Sequence, residues 1–156
     1  MNTLSLVDQT IEIRNAEEST GIKFDQVWCV FDLDDFPKEN FDQAIERAKK
    51  EKFHVAYSNE AFELWFVLHF DYLQSNLNRQ QYIDKLNTEH IKPYSKTDES
   101  IYAKLIRDQK MQDTAIRHAQ KLLDEHHPAH LNPSAKTPST TVHLLVLELN
   151  KHIRKS

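Results

Sequence analysis

A chain of 156 residues with 28% charged and 39% hydrophobic side chains has the composition of one soluble globular domain. Its formal net charge of -4 excludes a broadly basic nucleic-acid coat, though not a local basic patch. No unbroken apolar run is longer than the five residues from Leu64 to Leu68, too short to span a bilayer, so no membrane association is expected. No charged-then-apolar signal segment opens the chain, and the single cysteine, Cys29, excludes a disulfide framework; both fit a reducing cytoplasm. One glycine, Gly21, excludes glycine-rich phosphate cradles.

In chain order, Leu4, Val7 and Ile11 recur at helical spacing, and Gly21 stands where a helix C-terminal cap belongs. Residues 1–26 therefore read as a helix and linker. Val27 to Phe31 is apolar and rich in β-branched and aromatic residues, and reads as a buried strand. Phe41, Ala44, Ile45 and Ala48 fall at i, i+3, i+4 and i+7 and mark an amphipathic helix. Phe53 to Tyr57 reads as a second strand, and Ser58-Asn59 as the cap of a buried helix from Glu60 to about Phe70. Residues 27–70 thus form a β-α-β-α core with crossover helices on a parallel sheet. Residues 71–156 read as helical, with candidates at Arg79–Leu86, Glu99–Asp108, Asp113–His126 and Thr141–His152. In the last of these Val142, Leu145, Val146 and Leu149 share one stripe, and Ser139 or Thr140 is placed to cap it. Ile91–Asp98 and the proline-rich His127–Ser139 read as loops.

Asp32, Asp34 and Asp35 arrive at the carboxyl end of the first strand, where ligands of open α/β sheets bind. In extended geometry Asp32 and Asp34 leave the same face. Such carboxylates repel one another unless a cation lies between them, and an all-oxygen set suits Mg²⁺ or Mn²⁺. The plainer reading is an acidic turn in which Asp34 or Asp35 caps the next helix. Glu63 falls in the first turn of a buried helix, where a carboxylate must be paired, hydrogen-bonded or metal-bound. Its plainer role is to interact with its own helix terminus. His69 reads as a satisfied core histidine. His126, His127 and His130 offer a weak metal set, and Arg107, Lys110, Arg117 and Lys121 a basic face balanced by neighbouring acids.

The strand Val27-Trp28-x-Val30-Phe31-Asp32-x-Asp34, with Ser58-Asn59-x-x-Phe62-Glu63-Leu64-Trp65-x-x-x-His69-Phe70, resembles the RloB family. Tyr94-Ser95-Lys96 and Pro138-Ser139-Thr140-Thr141-Val142-His143 extend the resemblance over nearly the whole chain from Asp25. Members of that family are bacterial proteins linked to restriction loci and abortive phage resistance. The resemblance implies an α/β, Toprim/Rossmann-like fold with a mainly helical C-terminal half, forming one domain over residues 1–156. It implies metal-dependent cleavage of DNA or RNA, often beside an ATPase partner. On this reading Asp32, Asp34 and Glu63 are catalytic, Asp32, Asp34 and Asp35 hold the metal, and Ser58, Asn59 and Lys96 bind substrate.

Toprim-type proteins also carry a glutamate on an earlier strand, in a Glu-Gly segment. Residues 1–26 offer only Glu12, Glu17 and Glu18 on the expected helix. The chain accordingly reads as an N-terminally shortened member, and cleavage by the short form alone is not expected. Two other readings remain open at this point. Phe31-Asp32-Leu33-Asp34 also resembles the first motif of haloacid-dehalogenase-type phosphatases. A non-catalytic protein that binds and regulates nucleic acid or the ATPase is the other.

Overall fold

Two parallel strands, β1 (Trp28–Asp32) and β2 (His54–Asn59), pair with Trp28 opposite His54 and Asp32 opposite Ser58. They belong to a computed structural model that describes residues 2–34, 36–91, 93–126 and 131–153. Before β1 comes helix α1 (Thr3–Ser19), capped at its start by the Asn2 side chain. At its end Gly21 takes φ +97°, the Gly21 amide donates to the Glu18 carbonyl and the Ile22 amide to that of Glu17. That is a Schellman closure, which requires a left-handed residue and so explains the one glycine. The crossover is helix α2 (Lys38–Lys50), whose Phe41, Ala44, Ile45 and Ala48 are all buried as their spacing predicts. A third strand, β3 (Ser139–Thr140), joins β2 antiparallel, with Ser58 opposite Thr140. The expected α/β arrangement, with its parallel pair and helical second half, is present, and β3 makes the sheet mixed.

The C-terminal half is helical in the places expected. It comprises α4 (Arg79–Lys85), running on into a π-helical turn (Leu86–His90), then α5 (Ile101–Leu105), α6 (Gln109–Asp124) and α7 (Val142–Ile153). Thr140 Oγ1 accepts from the Val142 amide and so caps α7 as read from the sequence. Leu149 is an exception to the α7 stripe at 52% exposure, because Asn150, one residue on, faces α6 and bonds Gln112. Two apolar clusters lie on the two sides of the sheet. Alternate residues of β2 serve both: Ala56 packs with Leu64, Tyr82, Leu122 and Val142, and Tyr57 with Val7, Phe31 and Phe41. Among the described residues no helix is long and apolar enough to cross a membrane.

The segment after β2 departs from the sequence reading. Ser58 and Asn59 do not cap a helix; they are the last residues of β2. The helix that follows, α3, spans only Glu63–Val67. The cause is continued pairing beyond the strand. The Leu33 amide donates to the Ser58 carbonyl and the Asp34 amide to the Glu60 carbonyl, which holds the chain extended up to Glu60.

Candidate active site

The sharp turn after β1 places the acids. Asp34 sits at φ +45°, a left-handed conformation that aspartate tolerates better than most residues, at a cost of order 1 kcal/mol. No side chain caps α2, whose N-cap is Pro37, so the Asp34 carboxylate is not a cap. It turns instead to Arg79, as do two other carboxylates. Arg79 Nη1 lies 2.7 Å from Asp34 Oδ2, Nη2 2.5 Å from Asp32 Oδ2, and Nε 3.5 Å from Glu63 Oε2.

Each partner is held from a different element. Asp32 ends β1 and also accepts the Phe62 amide at 3.1 Å, which serves the otherwise uncapped start of α3. Glu63, in the first turn of α3, has a side chain only 3% exposed. Its Oε1 accepts from the Tyr94 hydroxyl at 3.2 Å. Tyr94 is fixed by its amide donating to Asn87 Oδ1 and by edge contact with the Phe66 ring. Arg79 is the first residue of α4, which a capping box of Asn78 and Gln81 anchors.

The electrostatics follow from this packing. Burial works against the Arg79 charge, but Asp32, Asp34 and Glu63 outweigh it and keep the guanidinium above its ordinary value. Burial, reinforced by the Glu63 carboxylate, pushes the Tyr94 phenol upward, so Tyr94 stays a hydrogen-bond donor. Three carboxylates facing one guanidinium leave two formal negative charges in excess. Glu63 Oε2 and Arg79 Nε are both buried without a hydrogen-bond partner. The donor set is all carboxylate oxygen and electron-rich, which fits Mg²⁺ or Mn²⁺ in chemistry. With Arg79 between them the oxygens stand apart. Among the described residues, the group whose donors all come within 4.8 Å of one another is Asp71, Glu89 and His90, where the Lys85 ammonium already contacts both acids.

The other sequence candidates are placed as follows. Ser58 is fully buried, with Oγ 2.9 Å from Thr140 Oγ1. Asn59 is buried too and donates through Nδ2 to the Pro133 and Ser134 carbonyls, 3.0 Å each. Lys96 is exposed, two residues beyond Tyr94, and forms no ion pair with the three acids among the described residues. Asp35, His127 and His130 lie outside the described residues. His126 is hydrogen-bonded through Nε2 to the Pro138 carbonyl. His69 is buried with Nδ1 on the Trp65 carbonyl, a satisfied core histidine. Beside Asp34 a pocket of about 280 Å³ opens, lined by Phe36, Lys38, Asn76 and Thr137 among others.

Arg79 is the residue that sequence reasoning missed. One signal was available: an arginine at the first position of a helix opposes the helix dipole, so it needs acids from elsewhere.

An α/β core with acids gathered at the carboxyl end of a parallel strand pair defines the class. The family model for RloB-like proteins matches residues 1–149, and the chain belongs to that family. No curated protein and no solved structure matches it.

Proposed function

We propose that this RloB-like protein is a cytoplasmic, phage-defence nuclease that cleaves phosphodiester bonds of DNA or RNA with Mg²⁺ or Mn²⁺, alongside an ATPase partner. The observation that carries the reading is the convergence of Asp32, Asp34 and the buried Glu63 on the single Arg79 guanidinium, with two negative charges in excess. Glu63 supplies a third carboxylate where the Toprim resemblance asks for one on an earlier strand, a place taken here by α1. When bound, the cation polarises the phosphate and lowers the pKa of a water molecule. Asp32, Asp34 and Glu63 would hold it, with Tyr94 fixing the orientation of Glu63. The pocket beside Asp34 receives part of the substrate, with Lys38 offering charge to a phosphate and Phe36 a ring face to a base.

The phosphatase alternative has no such support. It needs a later strand ending in an acidic pair, and β3 carries Ser139 and Thr140. The test is incubation of the chain with supercoiled plasmid and with tRNA in Mn²⁺, beside its Asp34→Asn variant. With Glu63 standing in for the missing upstream acid, the expectation drawn from the sequence that the short form is inactive is replaced, and cutting by the parent and not by the variant is the expected outcome. Equal products from both, or none from either, overturn the reading.

A further inference from the structure

Arg79 makes two good contacts and one poor one. Its Nη atoms reach Asp34 and Asp32 at 2.7 and 2.5 Å, while Nε stops 3.5 Å from Glu63 Oε2. Both atoms of that third pair are buried and neither has a hydrogen bond. A buried carboxylate oxygen without a donor carries a desolvation penalty that a permanent structural clamp would have relieved. The guanidinium is thus an incomplete match for the three acids arranged around it. The Arg79 side chain, in the first turn of α4, is 29% exposed, so part of it already meets solvent.

We propose that Arg79 is a built-in competitor of the divalent cation: its guanidinium fills the cation's place between Asp32, Asp34 and Glu63 and must leave before the cation binds. This rests on the cation reading given above. The apparent affinity for the cation is then lowered by the fraction of molecules in which Arg79 is in place. Removing the guanidinium frees all three carboxylates at once.

The experiment is Mn²⁺ titration, followed by water-proton relaxation, of the wild-type chain, Arg79→Met and Arg79→Lys. Arg79→Met is expected to bind Mn²⁺ ~5- to 150-fold more tightly, the usual span of coupling between two ligands of one protein, with Arg79→Lys in between. It is also expected to melt at a lower temperature without metal and to gain more from Mn²⁺ than wild type does. A folded Arg79→Met that binds Mn²⁺ no more tightly than wild type overturns the proposal while leaving the cation reading intact. Absence of binding in all three, or binding that survives Asp32→Asn with Asp34→Asn, overturns both. Should Arg79→Met fail to fold, the Arg79 Nε–H resonance of wild type is followed during Mg²⁺ addition. A shift supports displacement, and a resonance unmoved at a Mg²⁺ concentration that saturates the thermal shift overturns it.

Discussion

Glu63 divides its two oxygens between distinct tasks. Oε1 takes the Tyr94 hydroxyl, while Oε2 faces Arg79 without a hydrogen bond. Glu63→Gln keeps a carbonyl for Tyr94 and removes a buried negative charge, so its effect on stability is expected to stay under about 1 kcal/mol. The same variant should lose the rise in melting temperature that Mn²⁺ is expected to give the parent. Urea denaturation with and without Mn²⁺ separates the two effects, and a full Mn²⁺ response in Glu63→Gln removes Glu63 from the cation site. His143 governs a different property. It is fully buried, its Nε2 bonds Gln120 Oε1 at 3.0 Å, and burial pushes its imidazole down to about 4. Between pH 6.5 and 4 the unfolded chain takes up this proton and the folded chain does not. The stability that neutral His143 allows is therefore complete above pH 6.5 and falls as the pH drops toward 4, by on the order of 3 kcal/mol. His69, also lowered by burial, acts in the same direction. Unfolding free energies at pH 7 and pH 4.5 should differ less in His143→Gln than in the parent.

At the scale of elements, the 3₁₀ turn Pro133–Ala135 forms one wall of the site only because it is tied down twice. Asp42 of α2 accepts the Ser134 amide at 2.9 Å and the Ser134 hydroxyl at 2.5 Å, and Asn59 of β2 donates to two carbonyls of the turn. Hydrogen bonds to a charged group are worth about 1.5–3 kcal/mol each, and Asp42→Ala loses both at Ser134. We expect a destabilisation of about 2–3 kcal/mol and faster proteolysis between residues 131 and 138, read by limited digestion and mass spectrometry. How legible an element was depended on how local its cause is. The period of Phe41, Ala44, Ile45 and Ala48 gave α2, and the apolar run before Asp32 gave β1 within a residue. β3 has two residues, too few for any period, and its stabilising partners lie eighty or more residues earlier in β2. Ser58-Asn59 have the composition of a helix cap, yet pairing on both sides of β2 overrides that preference. The candidate site follows the same rule. Asp32 and Asp34 were visible from their alternation and Glu63 from its burial, whereas Arg79 meets Asp32 and Asp34 across 47 and 45 residues of chain.

At the scale of the molecule, β2 joins two apolar clusters, so perturbing its carboxyl end is felt on both sides of the sheet. A ligand that binds only the folded state there stabilises the whole by mass action, by about 2.7 kcal/mol at one hundred times its dissociation constant. Mn²⁺ is accordingly expected to raise the melting temperature by several degrees, and the double change Asp32→Asn, Asp34→Asn to abolish the rise. A rise that persists in the double variant places the cation elsewhere, with Asp71, Glu89 and His90 the group to examine next.

The antiparallel partner of β2 has a consequence for the birth of the protein. β1 and β2 are close in sequence and meet early, but Thr140 and Thr141 reach Ser58 and Tyr57 across more than eighty residues. Contacts that close such long loops are made late and slow the search for the native state. During synthesis the acids of β1 emerge first, and the strand, the tied turn and the cap of α7 that complete their surroundings emerge last. A ribosome-bound nascent chain therefore carries the charged residues of the site well before it carries the site, so whatever the assembled acids do is withheld until the C-terminal strand and turn have docked.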